Sequence, residues 1–342
     1  MTTTSDVLRV ALVGAGMIGR HRARALERVA GTRLVLVADR RLDAARELAS
    51  HYPEAEAVAE GLEVAEAEGI DAVILSTPPV DHEAVGVACL EAGQHLLCEK
   101  PLAMDVAACE RLVATAEEQG LCLATGFTLR KTPAALLARR LVDEGAIGPI
   151  DHVRVFHGHS GGSDFGPAWI TDATVTGGGT LMDNGIHMID QIRWFLGPVE
   201  ESVGYGSHHT WKKPGCEDNG FVLMRTTDGK VGALHSSWTE WRGYGYRVEV
   251  YGTEGSIRFG YPPLWLEERR GKPGERMKRR FHLFPKYQLI ERWKGWEWSF
   301  EETLVGDLED WVEAIRRGAE APASGRDGLE AVRIAQGIRR LE

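Results

Sequence analysis

The stretch Gly14-Ala15-Gly16-Met17-Ile18-Gly19 constrains this chain more than any other. It follows an apolar run, Leu8 to Val13 broken only by Arg9, which reads as a buried parallel strand. It opens into Arg20–Val29, where Ala23, Leu26 and Val29 recur at helical spacing. Strand, glycine turn and helix in that order build a cradle for a pyrophosphate. Gly14 permits the tight turn, Gly16 leaves no side chain between backbone and phosphates, and Gly19 lets the helix pack on the strand. The helix N-terminus, with Met17 and Ile18 in its first turn, offers N–H groups and a partial positive charge. A second apolar strand, Leu34–Ala38, ends in Asp39, a carboxylate placed to accept the hydroxyls of an adenine ribose and to repel a 2′-phosphate. The combination predicts dinucleotide binding, with NAD favoured; Arg40 and Arg41 directly after Asp39 keep NADP open.

From residue 7 to about 130 strand and helix patterns alternate, which predicts a doubly wound parallel sheet covered on both faces. Strands are expected at Val7–Val13, Leu34–Ala38, Ala72–Ser76, His95–Cys98 and Leu121–Gly126. Helices are expected at Arg20–Val29, Leu42–Ser50, Val80–Glu91 and Ala107–Gln119, with a short strand and helix within 55–68 at the sheet edge. Two loops fall at carboxyl ends of strands, where open α/β sheets bind ligands. Ser76-Thr77-Pro78-Pro79 is held extended by its prolines and is followed by His82, read either as a cap or packing residue or as a cofactor contact. Glu99-Lys100-Pro101 aims Lys100, because a residue before proline is held extended, and admits a cis Lys–Pro bond.

Beyond a turn at 145–149 the periodicity changes. His152–His157, Val199–Gly206, Asn219–Arg225, Val231–Trp238, Tyr246–Tyr251 and Ser256–Phe259 alternate like strands of a mainly antiparallel, half-exposed sheet, and helices at Glu301–Arg317 and Asp327–Leu341 close the chain. The reading is therefore α/β: a dinucleotide-binding domain over 1–130 and a second α+β domain over 131–342. Between the first two strands of the second domain lie Trp169 and Gly177-Gly-Gly-Thr-Leu-Met-Asp183-Asn-Gly-Ile-His187-Met-Ile-Asp190. An amphipathic helix over Thr180–Leu196 would put Asp183 and His187 on one face, where a carboxylate fixes the tautomer of a histidine and raises its basicity. A plain helix-surface pair is the alternative.

Composition excludes other classes. A net charge of −10 argues against a nucleic-acid partner. No apolar run reaches the ~20 residues that span a bilayer, and Met1–Asp6 lacks a signal-peptide pattern. The five cysteines show no C-x-x-C spacing, so a reducing cytoplasm is the expected location. His208, His209, Cys216, Glu217 and Asp218 match no zinc spacing and read as a polar loop, so no metal is expected. Trp238, Trp241, Trp293, Trp296 and Trp298 read as packing or interface aromatics, with one or two available to stack on a sugar. The basic run Arg269–Arg280 reads as a solvated hairpin or interface arm.

Gly14–Gly19, Thr77-Pro78 with His82, Ala92-Gly93-Gln94-His95, Glu99-Lys100-Pro101 and the Gly177–Asp190 segment together resemble the glucose–fructose oxidoreductase / inositol dehydrogenase (Gfo/Idh/MocA) family, over Val10 to about Ile338. The resemblance implies a Rossmann domain and a C-terminal domain with a large open sheet that builds homodimers or homotetramers. It implies NAD-dependent oxidation of a secondary hydroxyl in a cyclitol, sugar or sugar derivative. Lys100 would polarise the reacting oxygen and His187 would take the hydroxyl proton as hydride leaves. Asp183 would orient His187 or bind a neighbouring hydroxyl. Beyond the resemblance, a polyol substrate also suits Asp190, either His157 or His159, Ser160 and Trp169. Ser76, Thr77, Pro78, His82, Glu99 and Arg130 would join the glycine turn, Asp39 and Arg40 at the cofactor. Pro79 departs from the family's frequent asparagine. Two rival activities share these motifs: a redox-neutral glycosidase or eliminase that retains its nicotinamide, and a non-catalytic NAD-binding sensor.

Overall fold

The computed structural model describes residues 7–165 and 167–340. The chain divides into two compact units, Met1–Thr128 with Ser299–Glu330, and Leu129–Trp298 with Ala331–Glu342.

The first unit runs β1 (Leu8–Val13), α1 (Met17–Leu26), β2 (Thr32–Ala38), α2 (Leu42–Ala49), β3 (Glu56–Val58), α3 (Glu63–Glu66), β4 (Ala72–Leu75), α4 (His82–Glu91), β5 (His95–Cys98), α5 (Val106–Gln119) and β6 (Leu123–Thr125). The six strands form one sheet in the order β3-β2-β1-β4-β5-β6, every pair parallel. That is the dinucleotide-binding order, with its switch point between β1 and β4. The strands are buried on both faces, so β4 reads Ala-Val-Ile-Leu without a polar break. Helix α5 starts where the Asp105 carboxylate accepts the Ala108 N–H at 2.8 Å, and stops at Gly120 in the left-handed region.

The second unit holds α6 (Pro133–Asp143), β7 (Ile150–Gly158), α7 (Ala173–Thr176), α8 (Ile186–Leu196), β8 (Val199–Ser207), β9 (Asn219–Thr226), β10 (Val231–Ser237), β11 (Gly245–Gly252), β12 (Gly255–Tyr261), β13 (Trp265–Arg270), β14 (Lys278–Leu283) and α9 (Pro285–Lys294). With β15 (Arg339–Arg340) the strands make a nine-stranded sheet, β14-β13-β12-β11-β7-β10-β9-β8-β15, antiparallel except at β7–β10 and β8–β15. Helix α8 covers one face at β7, β10 and β11. On strand β9 buried Gly220, Val222 and Met224 alternate with exposed Phe221, Leu223 and Arg225, the signature of a sheet covered on one side only.

Three expectations are corrected here. The basic run is a hairpin as read, but its arms are regular strands: β13 and β14 pair from Trp265–Leu283 to Arg270–Lys278. The last helix, α11 (Gly325–Gln336), ends before β15, while Leu341 lies outside the described residues. The first unit breaks at Thr128, close to the expected 130, but Ser299–Glu330 also belongs to it. Most of the long helix α10 (Trp296–Arg317) and the first half of α11 return to it, and Leu304, Leu308, Trp311 and Val312 are buried in the core that holds Val10, Leu12, Ala23 and Leu26. Thr125 N–H donates to the Ala323 carbonyl at 2.8 Å at the far edge of the same sheet. An apolar helix face 170 residues downstream carries no local mark of which sheet it will cover.

Candidate active site

The glycine turn follows from three separate steric demands. Gly14 sits at φ +100°, and a Cβ there would lie 2.6 Å from the Ser76 carbonyl oxygen. A Cβ on Gly19 would lie 1.8 Å from the Gly14 oxygen, so α1 is seated on the turn itself. A Cβ on Gly16 would meet nothing within 4 Å. Gly16 is thus not required by packing, and the space beside its backbone is where phosphates would lie against the start of α1. Met17 beside it is exposed and Ile18 half-buried.

Asp39 stands at the end of β2 with its carboxylate turned to this loop. Its Oδ2 accepts the Ala15 N–H at 2.7 Å and its Oδ1 the Arg41 N–H at 2.8 Å. The loop after β4 is drawn against the same edge, with Ser76 N–H donating to Val13 O at 2.7 Å, and the Glu99 N–H donates to Leu75 O at 2.9 Å. Ser76, Thr77, Pro78, Glu99 and Lys100 are therefore gathered along adjacent strand ends and are partly exposed there. The Lys100–Pro101 peptide is cis.

Four residues expected at the cofactor make contacts of their own within the protein. His82 is fully buried, with Nε2 2.9 Å from the Thr77 oxygen and Nδ1 3.0 Å from the Pro101 oxygen, so it staples the two loops together and presents no ring nitrogen outward. Burial holds its pKa below the ordinary histidine value, against the pull of the two carbonyls. Glu99 turns inward to Arg22 of α1: Arg22 Nε donates to Oε1 at 2.7 Å, and Arg22 NH1 donates to Asp307 of α10 at 2.7 Å. Arg22 is fully buried between these carboxylates. Arg130, in the second unit, forks onto Asp190, with Nε 2.9 Å from Oδ2 and both partners buried. The guanidinium and the carboxylate are thus matched to each other in the interior of the unit. Arg40 pairs instead with Asp81.

In the second unit the Thr180–Leu196 segment is not one α-helix. Leu181–Gly185 forms a π turn, and the α-helix begins at Ile186. The start of the segment is pinned from outside. Buried Glu217 accepts the Gly179 N–H at 3.2 Å and the Leu181 N–H at 2.9 Å, and Ser236 Oγ donates to Thr180 O at 2.9 Å. The wider turn is a local feature frequently found at functional sites. Glu217 and Asp218, read above as a polar loop, are buried caps; Asp218 Oδ2 accepts the Thr210 and Trp211 N–H groups at 2.7 and 3.0 Å.

Of the ten residues 181–190, all but Asp183 and His187 are buried. His187 lies beside His157 of β7, with ring centroids 6.4 Å apart. His157 Nδ1 faces the Asn184 oxygen at 3.2 Å, so that nitrogen carries the hydrogen. Tyr244 and Tyr246 stand edge-on to His157 at 5.3 and 5.9 Å. Asp183 Oδ2 accepts the Trp238 Nε1–H at 3.1 Å and lies 3.6 Å from His159 Nε2. Trp238 is fully buried, which rules out its stacking on a sugar. Trp169 sits on an exposed turn at Ala168–Thr171. Tyr244, Tyr246, Trp238 and His159 converge on this cluster although no motif marks them; strand pairing of β7 with β10 and β11 places them, and pairing is not written locally.

A six-stranded dinucleotide sheet with its phosphate turn intact, and a separate unit presenting a carboxylate–histidine pair, define an NAD-dependent oxidoreductase. The family models agree: residues 8–127 match the oxidoreductase family NAD-binding Rossmann fold, and residues 135–258 match the GFO/IDH/MocA C-terminal domain. The chain belongs to the Gfo/Idh/MocA family. It is 30% identical over 336 residues to the inositol 2-dehydrogenase of Rhizobium meliloti strain 1021, covering 96% of this chain and 94% of that protein. It is 26% identical to the myo-inositol 2-dehydrogenase of Thermotoga maritima, covering 95% and 93%. Among solved structures, levoglucosan dehydrogenase in complex with NADH shares the fold at a TM-score of 0.85, with 24% identity over 96% of this chain and 95% of that one. Among the described residues no helix is long and apolar enough to cross a membrane.

Proposed function

We propose that this protein oxidises a secondary hydroxyl of a cyclitol, sugar or sugar derivative, with His187 as general base. The observation that carries the reading is the pairwise exposure of Asp183 and His187 in an otherwise buried segment. A half-buried carboxylate and imidazole in an otherwise buried segment are candidates for proton transfer. The names of the relatives, inositol and levoglucosan dehydrogenases, support a polyol as substrate.

In this reading the cofactor is held by the backbone around Gly14, Gly16 and Gly19, by Asp39 toward the ribose and by the Ser76–Pro78 loop. Bound NAD supplies the hydride acceptor. The chain's own work is proton transfer and placement. His187 accepts the proton of the reacting hydroxyl, Asp183 holds the imidazole or a neighbouring hydroxyl, and the Lys100 ammonium stabilises negative charge on the reacting oxygen. His157 and Trp169 are assigned to binding the rest of the polyol. Lys100 belongs to one unit and Asp183 and His187 to the other; their joint assignment rests on chemistry and on the family motifs. We also assign the open face of the nine-stranded sheet, where Val203, Tyr205, Phe221 and Leu223 are exposed together, to self-association; a monomeric mass by light scattering would refute that.

The test follows nicotinamide absorbance with a panel of inositols, aldoses, sugar acids and glycosides. Substrate-dependent reduction of NAD is expected, and His187→Ala lowers turnover roughly 10²–10⁴-fold while NAD affinity persists. Unchanged turnover in that variant removes His187 as the base. Product formation without net NAD reduction identifies the redox-neutral enzyme instead.

A further inference from the structure

Asp183 is itself held by an indole that no motif marks, and a second ring stands beside the same oxygen. Trp238 is fully buried at the end of β10, and its indole N–H donates to Asp183 Oδ2 at 3.1 Å. His159 stands on the same oxygen, with Nε2 at 3.6 Å. The tautomer of His159 follows from its other side: its Nδ1 accepts the Gly161 backbone N–H at 3.0 Å, so Nδ1 is bare and the hydrogen sits on Nε2, pointing at the carboxylate. Gly161 is held against Trp211, since a Cβ there would lie 2.5 Å from the indole, and Trp211 Nε1–H donates to the Trp238 oxygen at 2.9 Å. Phe165 wedges between the rings, edge-on to Trp238 at 5.0 Å, to Trp211 at 5.2 Å and to His159 at 5.8 Å.

We infer that Trp238, with the His159 ring standing beside it, is a positioning residue for Asp183: the indole N–H donor fixes one carboxylate oxygen. The inference rests on Asp183 and His187 being the acid–base pair proposed above. An indole N–H suits that role, because it steadies the carboxylate and leaves its charge in place.

The experiment compares Trp238→Phe, which keeps an aromatic ring and deletes the donor, with His159→Phe and with Asp183→Asn, each as the full chain. Folding is checked by NADH binding and near-ultraviolet circular dichroism, and kcat and kcat/KM are followed across pH with the best polyol of the panel. For Trp238→Phe we expect kcat to fall roughly 10- to 100-fold with NAD affinity unchanged, the loss appropriate to one hydrogen bond to a charged group. The acid limb of kcat/KM, which reports the base, moves to lower pH, because a carboxylate no longer held in place supports the His187 imidazolium less. His159→Phe shifts the limb in the same direction by a smaller amount, and decides the matter if Trp238→Phe does not fold. A folded variant whose activity falls with the acid limb unmoved, or whose activity does not fall, overturns the inference. An Asp183→Asn enzyme with the wild-type profile overturns the underlying assignment of Asp183 as well, which separates the two failures.

Discussion

Alanine at each glycine of the phosphate turn should give three different results, because the three positions are glycine for three different reasons. At Gly19 the added Cβ would sit 1.8 Å from the Gly14 oxygen, a distance no rotamer can relieve, so the seat of α1 on the turn must open. At Gly14 the Cβ would lie 2.6 Å from the Ser76 oxygen on a backbone at φ +100°, adding strain to overlap. Each change should cost about 3 kcal/mol or more, which for a unit of this size lowers Tm by roughly 6–12 °C. At Gly16 the backbone is extended at φ −73° and ψ −168°, which alanine adopts freely, and the Cβ meets nothing within 4 Å. The unfolded chain loses entropy on gaining the methyl group while the helix start loses a preferred N-cap, so stability should stay within about 0.5 kcal/mol of wild type. The methyl group would instead occupy the space assigned to the pyrophosphate. A weakening of NADH binding by roughly 100-fold, or about 2.7 kcal/mol, is expected. Thermal unfolding without cofactor and a fluorescence titration with NADH measure the two quantities separately. Wild-type NADH affinity in Gly16→Ala would refute the placement of the phosphates, and a fully stable Gly19→Ala would refute the seating of α1.

Asp307→Ala should destabilise the first unit by about 3 kcal/mol, since it strips one of two carboxylates from fully buried Arg22; calorimetry showing less than 1 kcal/mol would mean Glu99 alone satisfies that charge. Acidification should also weaken the fold through His82. Its folded pKa is held down, so below about pH 6.5 the unfolded chain takes up the proton first and stability falls by up to about 1.4 kcal/mol per pH unit, until the folded pKa is passed. His82→Gln should flatten that slope in denaturant titrations between pH 5 and 7, and an unaltered slope would place the titration elsewhere.

How much was legible in the residues depended on the range of the forces involved. The six-residue turn, the alternating strands and helices of the first unit and the hairpin periodicity of the second are local patterns, and each was set by sterics and burial within about fifteen residues. Asp39 belongs with them, because a strand end twenty residues past a glycine turn lies beside it by topology alone. Remote partners left no local trace: Arg130 lies on Asp190, 60 positions away, Glu99 on Arg22, 77 positions away, and His82 on the carbonyls of two loops.

Local residue patterns specify a dinucleotide sheet in the first unit, and a carboxylate and a histidine four residues apart in one segment of the second. The packing of distant elements sets α10 against the first unit, widens Leu181–Gly185 into a π turn, and brings Trp238 and His159 to Asp183. Backbone propensity and burial act through near neighbours and leave periodic traces. A buried hydrogen bond is made between whichever groups the sheets and helices bring together, and no single residue records its partner.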